Sequence, residues 1–295
     1  MLPILALLVA SPAHAGAKAS AFQPESKKGS NYWNAGNAID GKPESAWSLP
    51  GDSANRGEWI LLDVPKGELE KIGIVPGWDR DEETFTDYPR VKQVRVDVYT
   101  LDNDSVDQLV GSETLDVADK RGMQVIPLKT RLKIGVDSMF GGRVKLTVLD
   151  VYDGQDFPNL RISEVAAFLA EIDATPKLTS HEAPELSDAS PKTVWKGAAG
   201  ASFVVDPQGW AVSSIGFQGD KGAGRAKTVK VTVGDRPEQT FTLTDKPDLQ
   251  WMSLAPHNGY VGSTIDTITI TVVDSHGADV GLSELKFRAT HYEPL

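Results

Sequence analysis

The chain of 295 residues contains no cysteine. This absence excludes disulfide bonds, thiolate metal sites and cysteine nucleophiles together. Histidine is scarce, and none of the five histidines has the spacing of an H-E-x-x-H zinc motif or of a catalytic triad. Neither a G-x-S-x-G turn nor a Walker loop occurs. No catalytic motif is therefore recognisable, and we expect no enzyme, although 41 acidic residues leave a glycosidase-like carboxylate pair open.

Clusters of lysine and arginine are also lacking, and the net charge is -11. Binding to nucleic acid or to an anionic membrane surface would require such clusters, so we expect neither partner. Only residues 1–15, "MLPILALLVASPAHA", are strongly apolar, and they end in a small-residue A-H-A site. This pattern predicts a signal peptide over 1–15 and export to the periplasm or the outside of the cell. No later run is long enough for a transmembrane segment.

What the chain has in abundance is strand patterning. The stretch "VKQVRVDVYT" places Val94, Val96 and Val98 on one face, and "RVKLTVLDV", "TVKVTV" and "DTITITVVD" alternate in the same way. Long helical periodicity does not occur, so the pattern predicts an all-β chain. The segment 173–186 is polar, contains proline and has no periodicity, which predicts a linker.

An internal repeat divides the chain. In "AIDGKPESAW" (Ala38–Trp47) and in "LSDASPKTVW" (Leu186–Trp195), an Asp stands seven residues before a Trp. Further pairs follow in the same order: "VKQVRV" with "AKTVKV", "MQVIPL" with "LQWMSL", "LTVLD" with "ITVVD", and "ISEVAAF" with "LSELKF". The ordered set indicates two copies of one β-domain. The second copy has shorter connections, which favours the loops of the first copy as the ligand site.

The motifs "NAIDGKPESAW", "GEWILLDV", "IGIVPGW", "YPRVKQVRV" and "ISEVAAF" follow one another in the first half. Both halves resemble the discoidin, or coagulation-factor type C, domain, and the first half resembles the bacterial NADase-type glycan-binding domain. The resemblance implies two tandem jelly-roll β-sandwiches, over 19–172 and 187–291. It also implies an exported protein that binds carbohydrate or another envelope ligand without catalysis.

The resemblance further implies a structural Ca²⁺ where the first loop of each domain meets its last strand. The ligands carried over are Asp40, Ser45 and Glu164 in the first copy and Asp188, Thr193 and Glu284 in the second. Such oxygen ligands suit Ca²⁺, which takes six to eight of them. A second interpretation stays open, because an Asp in a turn of this kind also hydrogen-bonds its own backbone.

Sugar sites place an aromatic ring under the apolar face of the sugar, with polar side chains around it. The long loops of the first copy supply six candidate ligand-binding residues: Tyr32, Trp33, Trp78, Asp79, Arg80 and Tyr88. We expect Trp78, beside charged residues, to be an exposed loop ring, whereas Trp47 and Trp195 are expected to fill core space. The alternative is that Trp33 and Trp78 cap the ends of the sandwich.

Three functional hypotheses remain. Glycan binding predicts aromatic and polar side chains that converge at one place. A protein-docking module of an envelope assembly predicts a flat apolar patch of several hundred Å². A glycan-active enzyme, the least favoured of the three, predicts two carboxylates about 5 to 10 Å apart in a cleft.

Overall fold

The computed structural model describes residues 16–24, 32–52, 55–102, 104–135, 141–179, 183–188, 190, 192–222, 224–262 and 266–293. The segment expected to be a signal peptide lies outside these residues. The strands of the first half are β1 Ala17–Ala19, β2 Trp47–Ser48, β3 Trp59–Val64, β4 Gly67–Val75, β5 Arg90–Leu101, β6 Asp107–Asp116, β7 Gln124–Ile134, β8 Gly142–Tyr152, β9 Arg161–Ile162 and β10 Glu164–Leu169. Those that follow are β11 Ile172–Ala174, β12 Lys177–Leu178, β13 Trp195–Gly197, β14 Ser202–Asp206, β15 Trp210–Gly219, β16 Ala226–Val233, β17 Gln239–Thr242, β18 Leu249–Ser253, β19 Ile268–Ser275 and β20 Val280–Tyr292.

Helical structure is limited to three short elements within the described residues. They are the α-helix α1, Glu82–Asp87, and 3-10 turns at Ala35–Ala38 and Pro184–Ser187. None of the helices found there is long and apolar enough to cross a membrane. The prediction of an all-β chain is therefore confirmed.

The two halves have the same sheet topology. In the first half, the strand order is β1-β3-β8-β5-β6 in one sheet and β10-β4-β7 in the other. In the second half, β12-β14-β19-β16-β17 repeats the first order, and β20-β15-β18 repeats the second with β11 and β13 added beside β20. All pairs in these sheets are antiparallel, so each half is a β-sandwich, and the predicted pair of tandem sandwiches is confirmed.

Side-chain contacts repeat with the strands. Gln124 accepts a hydrogen bond from the backbone of Ala118, and Gln250 accepts one from the backbone of Thr244 at the matching place. The Lys92–Asp150 ion pair (2.8 Å) has its counterpart in Lys227–Asp274 (3.0 Å). Similar polar contacts at matching places support the duplication independently of the strand pattern.

Each sandwich has its own apolar core. The alternation predicted for β5 is present, since Val94, Val96 and Val98 are all buried in the first core. In the second core, Val229 and Val231 of β16 take the equivalent places. Burial of one strand face against the opposite sheet is the main stabilising interaction of such sandwiches.

The prediction of a linker over residues 173–186 was wrong in one respect. Strand β11 pairs with β20, and β12 pairs with β14, so part of this segment belongs to the sheets of the second sandwich. Strands of two or three residues are too short to show a period of two, which is why the pattern did not reveal them. In the first sandwich, β1 occupies the place of β12.

Candidate functional site

Four loops bring aromatic rings together at one end of the first sandwich. The ring centroids of Tyr32 and Trp33 lie 4.6 Å apart, those of Trp33 and Trp78 5.6 Å, and those of Trp78 and Tyr88 5.6 Å. Each of these pairs is edge-to-face, the arrangement that ring quadrupoles favour. Phe157 then stacks on Tyr88 at 4.5 Å with an interplanar angle of 11°. We call these five residues the aromatic cluster.

The helix α1 positions one member of the cluster. Asp81 caps this helix by accepting a hydrogen bond from the backbone N–H of Thr84 (2.8 Å), and the Thr84 hydroxyl closes a capping box. After the helix, Arg90 donates to the carbonyl oxygen of Tyr88 (3.0 Å) and pairs with Asp119 at 2.6 Å. The backbone around Tyr88 is therefore held on both sides.

Arg161 lies at the centre of the aromatic cluster. Its guanidinium carbon is 4.2 Å from the ring centroid of Trp33, 4.1 Å from that of Trp78 and 3.6 Å from that of Tyr88. The side chain is only 6% exposed, and burial lowers the pKa of Arg161 to about 10. Three rings around one cation supply cation–π attraction that partly offsets its desolvation. Arg161 therefore ties the loops of Trp33, Trp78 and Tyr88 to strand β9.

Three N–H groups in this cluster lack hydrogen-bond partners among the described residues. They are Nε1 of Trp33 and both Nε and Nη1 of Arg161. An unpaired buried donor costs about 1 to 3 kcal/mol, and more when it is charged. Several unpaired buried donors at one place lower the stability of the protein, and such places are often functional sites. The aromatic cluster is therefore a candidate functional site.

Trp78 is not the exposed loop ring that we expected. It is 9% exposed, and its Nε1 donates to the carbonyl oxygen of Glu44 at 2.8 Å. Its two charged neighbours point in different directions: Asp79 accepts from Arg121 Nε (2.5 Å), whereas Arg80 lies over the Trp78 ring at 5.6 Å. Adjacent charges in the chain do not report burial, because a loop turns its successive side chains in different directions.

The structure thus brings Tyr32, Trp33, Trp78 and Tyr88 together, with Arg80 and Asp79 at the rim. Sequence reasoning missed Phe157 and Arg161. Phe157 is 45% exposed although Tyr88 covers one face of its ring. The stretch "QDFPNLR" before the closing motif was the available signal, because in it a loop containing an aromatic residue is followed at once by a cation.

A pair of carboxyl groups lies beside this end of the sandwich. The backbone N–H of Lys42 donates to Asp40 Oδ1 at 2.9 Å and to Glu164 Oε1 at 2.8 Å. Glu164 is buried, and burial together with the charge of Asp40 raises its pKa to about 8. Neither group forms an ion pair with a described Lys or Arg. Two close, uncompensated carboxyl groups are an environment that favours a proton or a cation.

The atoms around this pair fit a hard cation. The Ser45 hydroxyl lies 2.9 Å from Asp40 Oδ1, 2.9 Å from the Lys42 carbonyl oxygen and 3.3 Å from the Asn37 carbonyl oxygen. Together with Asp40 and Glu164, these are oxygen atoms of the kinds that Ca²⁺ prefers. The described residues contain no group of three His, Cys, Asp or Glu side chains that could hold a metal. A cation here would consequently depend on carbonyl and hydroxyl oxygens.

The second copy repeats the turn but not the pair. Ser190 N–H donates to Asp188 Oδ1 (2.8 Å), and the Thr193 hydroxyl donates to Asp188 Oδ2 (2.7 Å), as Lys42 and Ser45 do to Asp40. Glu284 is instead paired with Lys286 at 3.2 Å, and in the described part of the chain no hydrogen bond joins it to Asp188. The lysine supplies the positive charge that the first pair lacks.

A cavity of about 290 Å³ lies between the two sandwiches. Its charged lining is internally paired: Arg131 Nη2 lies 2.6 Å from Glu70 Oε1, and Glu171 accepts from the Ser213 hydroxyl at 2.8 Å. The aromatic cluster does not line it. Its polar groups already have partners, so it is a weaker ligand site than the aromatic cluster.

A family model matches residues 13–168, and its description is NAD glycohydrolase translocation F5/8 type C domain. The chain belongs to this family. The resemblance stated from the sequence motifs is confirmed, and the aromatic cluster, Arg161 and the carboxyl pair all lie within the matched F5/8 type C region. No curated protein matches the chain.

The chain is also similar to several solved structures, at low identity. A fucolectin from striped bass (Morone saxatilis) serum is 15% identical, with 95% of this chain and 97% of that chain covered and a TM-score of 0.35. The CBM32-1 and CBM32-2 domains of Clostridium perfringens ZmpB, in complex with GalNAc, are 11% identical, with 94% and 90% covered and a TM-score of 0.35. The family 32 CBM of C. perfringens NanJ, in complex with galactose, is 16% identical, with 40% and 99% covered and a TM-score of 0.33.

Proposed function

We propose that the protein is a non-catalytic, exported binding protein that recognises carbohydrate at the aromatic cluster of its first sandwich. The observation that carries the proposal is the convergence of five aromatic residues from four loops, three of which surround Arg161. Loops of this length are ordinarily free to move, whereas here the cation–π contacts hold them in one arrangement. A rigid site loses less conformational entropy on binding.

Carbohydrate suits the chemistry of this surface. A pyranose presents an apolar face that stacks on an open ring, and Phe157 is such a ring. Around it, the exposed guanidinium of Arg80 and the backbone of the loops offer hydrogen bonds to hydroxyl groups. Glu164 is buried and shares one amide donor with Asp40, an arrangement that suits a cation better than a general acid and base.

A structural Ca²⁺ is part of the proposal for the first sandwich. Asp40, Glu164, Ser45 and the carbonyl oxygens of Asn37 and Lys42 would hold it, and it would supply the positive charge that the carboxyl pair lacks. We do not extend this proposal to the second copy, where Lys286 supplies that charge.

Export rests on the N-terminal pattern. N-terminal sequencing of the secreted chain tests it, and a retained Met1 would contradict it.

Phe157→Ala is expected to weaken glycan binding about thirtyfold, because loss of a central stacking anchor costs on the order of 2 kcal/mol. The melting temperature should stay nearly constant, since the ring is half exposed. A glycan array identifies a binding sugar, and titration calorimetry with that sugar measures the change. Trp78→Ala would not serve this purpose, because that ring is buried and hydrogen-bonded.

Tyr292→Ala is the matched control for Phe157→Ala. Tyr292 is also half exposed and packs on another ring, that of Trp210 at 4.7 Å, but it lies in the second sandwich. Its loss should leave the affinity unchanged. Equal affinities for Phe157→Ala and wild type would place the sugar elsewhere.

The protein-docking alternative has weaker support. The exposed apolar residues in the first sandwich include Leu109 and Val110 on β6 and Val125 on β7. Strand β6 lies at the edge of one sheet and β7 at the edge of the other. These exposed apolar residues are therefore divided between two sheets, where docking of this kind predicts one flat patch.

A further inference from the structure

A tight turn of the second sandwich contacts the first one. Asn258 and Gly259 both have positive φ angles, of 55° and 84°, and the His257 N–H donates to the Tyr260 carbonyl oxygen at 2.9 Å. This is the geometry of a two-residue Asn-Gly turn. The next residue, Val261, is buried in the second core. The turn is thus anchored in one sandwich and reaches the other with its tip.

The tip binds two segments of the first sandwich at once. The Asn258 N–H donates to the Ile39 carbonyl oxygen at 2.9 Å, and the Gly259 carbonyl oxygen accepts from the Ala167 N–H at 2.7 Å. Ala167 also forms a parallel bridge with Tyr260. Gly259 is buried against Ile39, because a Cβ there would lie 3.2 Å from Ile39 Cγ2.

These two segments are the ones that carry the carboxyl pair. Ile39 directly precedes Asp40, and Ala167 follows Glu164 by three residues on β10. Pro256, just before the turn, places its carbonyl oxygen 3.8 Å from where a Cβ of Gly41 would lie. The turn is therefore bonded to both elements whose separation determines the distance between the two carboxyl groups.

We propose that the Asn258–Gly259 turn positions the cation site of the first sandwich, so that cation binding and the docking of the second sandwich stabilise each other. The inference rests on the proposed Ca²⁺ site. A contact that stabilises the arrangement of Ile39 and Ala167 seen with the second sandwich docked also strengthens cation binding. By linkage, the bound cation must stabilise the docking of the second sandwich by the same free energy. The second sandwich thereby has a role that does not require a ligand of its own.

The test uses the full chain and calcium alone. Gly259→Ala introduces a Cβ at a positive φ and against Ile39, and it should weaken Ca²⁺ binding in titration calorimetry about tenfold, within the usual range of coupling between sites. Gly200→Ala is the matched control, because Gly200 has a φ of +95° in the second sandwich with nothing within 4 Å of an added Cβ. It should leave the affinity unchanged.

Amide hydrogen exchange of the wild-type chain provides a readout that needs no variant. Calcium should slow exchange at Asn258, whose N–H spans the contact. Equal calcium affinity of all three proteins, or unchanged exchange at Asn258, overturns the coupling and leaves the cation site standing. If wild type binds no calcium, both the cation site and this inference fail, while the glycan titration of Phe157→Ala decides the sugar site separately.

Discussion

Replacing Trp47 by alanine is expected to lower the free energy of unfolding of the first sandwich by about 3 to 5 kcal/mol. The ring is 1% exposed, its Nε1 donates to the Ala21 carbonyl oxygen at 2.8 Å, and its backbone pairs with Ile162. Alanine leaves a cavity and an unpaired carbonyl oxygen at the place where the first loop joins the sandwich. Urea unfolding measures the loss.

Hydrogen exchange by mass spectrometry locates the effect, because a protein with two cores need not unfold in one step. The control is Trp195→Ala, the equivalent position of the second copy. Trp195 is only partly buried and packs edge-on against Phe203 at 4.8 Å, so its loss should be smaller and confined to the second sandwich. If the two variants behave alike, Trp47 is not the anchor of the first loop.

Stability of the calcium-free protein should fall as the pH rises toward 8, because of Glu164. Burial, and then the charge of Asp40, raise its folded-state pKa from 4.5 to about 8. A group whose pKa is raised on folding binds its proton more tightly in the native state. The contribution of Glu164 to the free energy of unfolding is fully present below about pH 4.5 and is lost as the pH rises through about 8. The loss is on the order of a few kcal/mol.

Glu164→Gln keeps the shape of the side chain but cannot ionise. At pH 9 the calcium-free variant should be more stable than wild type by a few kcal/mol, whereas at pH 5 the two should match. Calcium should raise the melting temperature of wild type at pH 8 and leave the variant unchanged, since bound ligand stabilises only the form that binds it. Melts in EDTA and in calcium at each pH measure both effects.

Glu284→Gln provides the comparison in the second copy. Glu284 is buried but paired with Lys286, so its loss should bring no gain at high pH. Two results would contradict the carboxyl-pair interpretation. One is that wild type becomes more stable relative to Glu164→Gln as the pH rises from 5 to 9. The other is that calcium stabilises the variant as much as it stabilises wild type.

Much of the fold could be predicted because it depends on short-range patterns. Alternation in β5 and β16 and the ordered repeat were enough to predict two copies of one β-domain, and the family resemblance implied that each copy is a sandwich. The Asp40 and Asp188 turns are similarly local, since the donors to each carboxylate lie two to five residues away. The segment 173–186 was misjudged because β11 and β12 are defined by pairing with distant strands rather than by a periodicity of their own.

The amino-acid sequence by itself therefore determined the strand patterning and its duplication, the repeated turn and most members of the aromatic cluster. Only the tertiary structure decided that Trp78 is buried, that Arg161 lies among three rings and that Glu164, unlike Glu284, shares a donor with an Asp. The contacts of Arg161 with Tyr88 and of Glu164 with Lys42 each join residues separated by 70 or more positions in the chain. Local sequence carries no record of such neighbours, because burial and pairing arise only when the sheets pack.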